Sequence, residues 1–326
     1  MLLPTSMRST YSVKSLILDM DGVLWRGDAP IGDLPAIFAR IRERRLTVAF
    51  ATNNGTRTPE EYVERLAGFG VTIQSWQVVT SSLALADLLY EHLNLRGLGG
   101  LRGSKNQSGQ HLPEPAVSHP VRAERPGPPG RNGRRPQDRF ADAAVARGTN
   151  GVEGVEVFAI GEAGVMTALR EKGFELLSVE EAERAQAVVM GIDRQINFDK
   201  MCEATLLVRR GVPFYATNPD KTFPTPRGEI PGAGAWISVV VTATDVEPIY
   251  AGKPAPYLLE LARERLGTAK EETLVVGDRL ETDIAGGQAA GMPVALVLSG
   301  VSTREEGEAW RPKIDVVAED LGELVG

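Results

Sequence analysis

The chain has 326 residues, 42% of them hydrophobic and 24% charged, with a formal net charge of −7. These are ordinary globular values for about two domains, and the acidic balance argues against binding nucleic acid or anionic membranes across the whole surface. Cys202 is the only cysteine, which excludes an intrachain disulfide or a cysteine-built zinc site and fits a reducing compartment.

The opening MLLPTSMRST has no sustained apolar stretch, so no secretory leader is expected. No apolar run reaches the roughly 18 residues of a membrane span. A cytoplasmic protein is the expectation. The three histidines, His92, His111 and His119, lie far in sequence from the acidic motifs described next, so histidine acid–base chemistry is not expected.

The first predicted strand covers 15–18 and runs directly into Asp19-Met20-Asp21-Gly22-Val23. Two carboxylates so close raise each other's pKa unless a cation intervenes. The pair therefore reads as a metal site with chemistry or as a solvated turn. A calcium loop of the EF-hand type is excluded, because it needs Gly at its sixth position and Glu at its twelfth. Gly22 stands fourth here and Pro30 twelfth.

A helix is predicted over 34–44 and a strand over 48–52, ending in Thr52-Asn53-Asn54. A hydroxyl, amides and free backbone N–H groups suit phosphate oxygens, although such turns are also common without a ligand. Thr58-Pro59-Glu60-Glu61 is a capping box with Pro at the first helical position, which predicts a helix over 60–68. Another helix is expected over 83–93.

Residues 96–150 break the pattern, with seven prolines, nine glycines, nine arginines and almost no aliphatic periodicity. Ten basic against four acidic residues make the segment locally positive. Such a composition buries too little apolar surface to offset chain entropy, so it reads as a disordered insertion. It fits equally a genuine insertion and out-of-frame translation of GC-rich DNA. As a basic arm for nucleic acid it has only Phe140 for base stacking.

Strands and helices then alternate: strands over 155–160, 187–190 and 213–217, helices over 164–172, 198–209 and 235–243. In Gly252-Lys253-Pro254 the proline predicts a helix over 254–266, which would set Lys253 beside a helix N-terminus to hold an anion. A strand over 273–276 ends in Gly277-Asp278, with Asp283 before a helix over 284–290 and a last strand over 294–298. Asp283 reads as an N-cap or a site residue. Asp278 adds a third carboxylate to Asp19 and Asp21, an oxygen-only set suited to Mg²⁺. Alternation of this kind predicts an α/β fold with a largely parallel sheet. No phosphate-loop, dinucleotide or serine-elbow motif is present in the sequence.

The four motifs in this order resemble the haloacid dehalogenase (HAD) superfamily of phosphohydrolases. Its pattern is matched by Asp19/Asp21/Val23, Thr52, Lys253 and Asp278/Asp283. Trp25, Thr217-Asn218-Pro219-Asp220, Pro231-Gly232-Ala233-Gly234 and Leu298-Ser299-Gly300-Val301 resemble the NagD-like, p-nitrophenylphosphatase-like subfamily IIA. The resemblance implies a Rossmann-like core from residues 1–80 and 232–326, with an α/β cap inserted over 81–231. It implies a Mg²⁺-dependent phosphatase for small phosphomonoesters such as sugar phosphates, nucleoside monophosphates and p-nitrophenyl phosphate. Asp19 would be the nucleophile and Asp21 the proton carrier. Asp19, the Asp21 backbone carbonyl and Asp278 would hold Mg²⁺, and Asp283 would orient a metal-bound water. Thr52, Asn53, Asn54 and Lys253 would hold phosphate. Asn218 and Asp220 read equally as substrate contacts or as a turn stabilised by side-chain bonds before Pro219. Trp25 reads equally as a lining of the substrate side or as core. The alternatives are a phosphotransferase or mutase using the same aspartyl-phosphate, and a nucleic-acid-binding protein working through 96–150. Subfamily caps often join dimers, so a homodimer through the cap is a further expectation.

Overall fold

A computed structural model describes residues 12–100, 154–225 and 227–326. In chain order the strands are β1 (Ser15–Leu18), β2 (Trp25–Arg26), β3 (Ala29–Pro30), β4 (Thr47–Thr52) and β5 (Val78–Thr80). They continue with β6 (Glu156–Ile160), β7 (Glu175–Leu176), β8 (Ala187–Met190), β9 (Phe214–Ala216), β10 (Thr222–Thr225), β11 (Gly228–Pro231) and β12 (Ile249–Tyr250). The last are β13 (Thr273–Gly277), β14 (Val294–Val297) and β15 (Val316–Ala318).

Six strands form one parallel sheet in the order β15-β14-β13-β1-β4-β5. Residues 15–18 are apolar or fully paired and wholly buried, as a strand covered on both faces must be. One face packs against the helices Leu34–Glu43, Pro59–Gly68 and Leu321–Val325. Leu34, Ile37, Phe38 and Ile41 repeat at helical spacing and turn one stripe of the first helix inward, while Asp33 caps its start by accepting from Ala36 N at 3.1 Å. The other face meets the helices Ser81–Gly100 and Tyr257–Leu266. From β1 the chain moves outward to β4 on one side and returns later as β13 on the other. That makes the carboxyl end of β1 the switch point at which ligands of open α/β sheets bind.

Five further strands form a second parallel sheet, β12-β9-β8-β6-β7, with the helices Phe198–Arg209 and Ala233–Thr244 packed on one face. Its other face shares an apolar cluster with the first sheet, through Val157, Val165, Val189 and Tyr215 on one side and Ile17, Ala51 and Leu85 on the other. The expected return to the core at residue 232 falls too early. The helix Ala233–Thr244 buries Ala233, Ile237 and Val240 against the second sheet, and β12 pairs with β9.

Other differences are local. The helix expected over 83–93 spans Ser81–Gly100, so residues 96–100 of the expected disordered segment are helical, and 101–150 lie outside the described residues. The helix expected from Pro254 starts at Tyr257. The short strands β5 and β15 sit at the sheet's two edges, where three residues carry too little pattern to stand out. Among the described residues no helix is long and apolar enough to cross a membrane.

Candidate active site

Three neighbouring strands deliver the acidic and hydroxyl groups to one place. Asp19 follows β1, Thr52 closes β4 and Asp278 follows β13. The Asp19 amide donates to Val276 O at 2.9 Å, which locks the end of β1 to β13. Asp283 lies in the π-helical turn Leu280–Ile284 rather than at a helix N-cap. Carboxylate oxygens of Asp19, Asp278 and Asp283 lie within 4.8 Å of one another. Asp283 thus lies in the same carboxylate cluster as Asp19 and Asp278.

Lys253 threads into this cluster and is 3% exposed. Its ammonium pairs with Asp19, lies 2.6 Å from Asp283 Oδ1 and donates to Ala51 O at 2.9 Å. It is therefore held by buried partners, and the helix expected to start beside it begins at Tyr257. Burial alone would strip its proton, but Asp19 and Asp283 outweigh that and push its pKa above the ordinary lysine value. Burial raises the Asp19 carboxyl well above the usual range, with Asp283 and Asp278 adding to the effect and Lys253 opposing it. Asp278 is pushed up to about 7, chiefly by burial and then by Asp283, against the opposing Val301 amide. All three shifts express an excess of negative charge in a dry place.

The supports of these groups are specific. Val301 N donates to Asp278 Oδ2 at 2.8 Å and Arg279 N to Asp283 Oδ2 at 3.1 Å. The backbones of Gly22 and Gly300 lie so close to the Asp278 carboxylate that a Cβ on either would collide with it. Gly22 also has a φ of +83°, a conformation that favours glycine. Ser299 Oγ donates to Gly22 O at 2.6 Å, tying the loop after β14 to the loop after β1.

Asp21 takes no part in the carboxylate cluster. Its Oδ1 accepts from the indole N–H of Trp25 at 2.8 Å. Trp25 is fully buried and borders the cavity.

On the other side, Thr52 is 3% exposed, and its hydroxyl oxygen accepts from Asn54 N at 3.1 Å. Asn54 Oδ1 accepts from Thr56 N at 3.1 Å and from its hydroxyl, so that side chain shapes the loop. Asn53 ties several segments together. Its Oδ1 accepts from Lys253 N at 2.8 Å, and its Nδ2 donates to Lys253 O at 2.9 Å and to Asp220 at 3.1 and 3.2 Å. Asn218 Nδ2 donates to Asn53 O at 2.8 Å, and Asn218 Oδ1 accepts from Asp220 N at 3.1 Å. The side-chain-stabilised turn at Asn218 is therefore present, and the same residues join the second sheet to the loop after β4. Burial raises the Asp220 carboxyl, with Asn53 opposing.

These groups line a cavity of about 370 Å³. Its far wall comes from the second sheet and its connections: Val165, Ile192, Thr222 and Phe223. Arg26, Arg279 and Thr282 also face it. Arg279 and Thr282 lie inside the Gly277–Asp283 motif, whereas no motif marked Arg26, Val165, Ile192, Thr222 or Phe223 in the sequence.

A parallel α/β sheet presenting buried carboxylates and a lysine at its switch point defines a hydrolase site of the haloacid dehalogenase type, and the comparisons agree. Residues 16–101 match the family model described as haloacid dehalogenase-like hydrolase, and residues 250–324 match the HAD-hydrolase-like model. The chain is similar to the 5'-nucleotidase YutF of Bacillus subtilis, 31% identical over 90% of each chain. It is also 31% identical to an acid sugar phosphatase of Staphylococcus aureus, over 90% of this chain and 89% of that one. Among solved structures, the glycerol phosphate phosphatase Rv1692 of Mycobacterium tuberculosis, in complex with magnesium, aligns with a TM-score of 0.71 and 28% identity. That alignment covers 96% of this chain and 76% of Rv1692. The chain belongs to the haloacid dehalogenase-like hydrolase family and is an enzyme of that class.

Proposed function

We propose that the protein is a Mg²⁺-dependent phosphatase that hydrolyses small phosphomonoesters through a phosphorylated Asp19. The observation that carries this reading is the buried cluster of Asp19, Asp278, Asp283 and Lys253 beside the Thr52 hydroxyl. The named activities of its relatives, on nucleotides, sugar phosphates and glycerol phosphate, support the same substrate class.

The residues present fit a divalent cation. Five carboxylates line the cavity, Asp19, Asp21, Asp220, Asp278 and Asp283, against three cations, Arg26, Lys253 and Arg279. The excess is two charges, the donors are all oxygen, and such a set suits Mg²⁺. Asp19, Asp278 and Asp283 would hold the ion, with the Asp21 backbone carbonyl as a further candidate donor. When bound, Mg²⁺ neutralises charge on the transferring phosphoryl group and draws it towards the carboxylates.

In the first step an oxygen of Asp19 attacks phosphorus. The Asp19–phosphorus bond forms as the ester P–O bond breaks, and a proton passes from Asp21 to the leaving oxygen. In the second step water attacks phosphorus, Asp21 takes its proton, and the Asp19–phosphorus bond breaks to release inorganic phosphate. Lys253, the Thr52 hydroxyl and the backbone N–H of Asn53 bind the phosphoryl oxygens, while the Asn54 N–H, which donates to the Thr52 hydroxyl oxygen, orients that hydroxyl. Lys253 also opposes the effect of burial on the Asp19 carboxyl and aims it. We read the second sheet with its helices as the cap that closes over the substrate.

The test is phosphate release from p-nitrophenyl phosphate and a panel of sugar phosphates and nucleoside monophosphates. Activity should need Mg²⁺, vanish with chelator and be lost in Asp19→Asn. Full activity of Asp19→Asn would overturn the reading.

A further inference from the structure

Asp21 and Trp25 lie four residues apart on the loop after β1, where the chain turns back sharply: Gly22 N donates to Trp25 O at 2.8 Å. The indole N–H points at one oxygen of the Asp21 carboxylate, at 2.8 Å. Among the described residues Asp21 makes no other side-chain hydrogen bond. The indole is immobile. It is wholly buried, stacks on Tyr62 at 6.4 Å between centroids and 12° between planes, and carries the Arg65 guanidinium 4.3 Å above its ring. Arg65 is anchored on Gly27 O, and the Tyr62 hydroxyl donates to Asn54 O at 3.2 Å. One rigid stack therefore spans the loop that carries Asp21 and the loop that follows Thr52.

We propose that Trp25 is a positioning residue for proton transfer: its N–H fixes which oxygen of Asp21 carries the proton. The indole nitrogen donates and cannot accept. Oδ1 is therefore occupied by the Trp25 N–H, and Oδ2 is the oxygen left free to exchange a proton with the substrate. In the first step the proton leaves Oδ2 for the ester oxygen as the P–O bond breaks; in the second Oδ2 receives one from the attacking water. Oδ1 stays pinned throughout, so the carboxyl does not rotate between steps. The inference rests on the phosphatase reading above. The competing explanation is that a buried indole N–H merely found the nearest acceptor.

The two differ in how they depend on the leaving group. p-Nitrophenolate departs with little help from an acid, whereas an alkoxide must be protonated as it leaves. The value of kcat/KM covers only the steps through formation of phosphorylated Asp19, so it isolates the acid role. The experiment measures kcat/KM of the full chain with Mg²⁺ on p-nitrophenyl phosphate and glycerol 3-phosphate, for the wild type and Trp25→Phe. The expected result is a loss for glycerol 3-phosphate larger by about 10-fold or more than the loss for p-nitrophenyl phosphate, a fraction of what general acid catalysis supplies. Equal losses, or none, would overturn the proposal. Should Trp25→Phe fail to fold, benzothienylalanine at position 25 keeps the ring's shape without the N–H and is held to the same comparison. A wild type inactive on both substrates would overturn the phosphatase reading, and this inference with it.

Discussion

The two walls of the cavity are built on different terms. On the core wall each functional group is fixed by a named polar contact. Asp278 is held by Val301 N, Asp283 by Arg279 N, Lys253 by Ala51 O and Asp21 by Trp25. On the opposite wall Val165, Ile192 and Phe223 offer shape and apolar surface, and the polar members Asn218 and Asp220 are bound to Asn53. Chemistry that must place charge to a fraction of an ångström sits on rigid strand ends. On the proposed reading, selection among leaving groups falls to the separate sheet, which can vary without disturbing the carboxylates. The two walls meet at Asn53, whose amide joins Lys253 to Asp220.

The comparison predicts uniform effects from the core wall. The largest is Asp19→Asn: with Asp19 the proposed nucleophile, it should lower kcat by about 10⁴-fold or more on every substrate alike, since a nucleophile cannot be replaced by better binding. A loss confined to some substrates would break the division between the walls. Next is Lys253→Met. Removing one partner of a buried ion pair costs about 3–5 kcal/mol, and here it leaves Asp19 and Asp283 facing each other with no ammonium between them. The melting temperature in chelator should fall, and added Mg²⁺ should recover part of it. A melting temperature unchanged in chelator would show that the lysine is not what balances the carboxylates. Gly300→Ala tests the support of Asp278 without removing a ligand. The new methyl group would collide with that carboxylate. Disturbing such a support should weaken Mg²⁺ affinity by about 10–100-fold, read as a higher Mg²⁺ concentration for half-maximal activity.

The same division decides what was legible in the sequence. β1 and β13 are covered on both faces, so each reads as an apolar run, and Asp19 and Asp278 are conspicuous because they end those runs. Lys253 was legible as a candidate phosphate ligand, but its buried partners were not. The helix begins at Tyr257, and what holds the ammonium are Asp19, Ala51 and Asp283, contacts made only by the folded sheet. Asn53 was legible as a backbone donor for phosphate, but not its side chain's bridge between Lys253 and Asp220, 200 and 167 residues away. Val165, Ile192 and Phe223 could not be read at all. Nothing in their local pattern separates a cavity lining from core, and their place depends on how the second sheet sits over the first.

That far wall yields the smallest and most selective prediction. Phe223 stands on β10, paired with Ile230 across the short antiparallel hairpin with β11, and faces the cavity half-buried. Its apolar ring can form neither a hydrogen bond nor an ion pair with Asp19, Asp278, Asp283, Lys253 or Thr52, so Phe223→Ala should leave the chemical step in place and alter only the fit of the leaving group. Apolar pocket contacts discriminate by about 1–3 kcal/mol. The truncation should therefore change kcat/KM by roughly tenfold for bulky phosphomonoesters and much less for small ones, mainly through KM. The ranking of substrates would shift while the Mg²⁺ requirement stayed put. If Phe223→Ala instead lowered kcat equally for every substrate, the far wall would belong to the chemistry, and the separation of the two walls would fail.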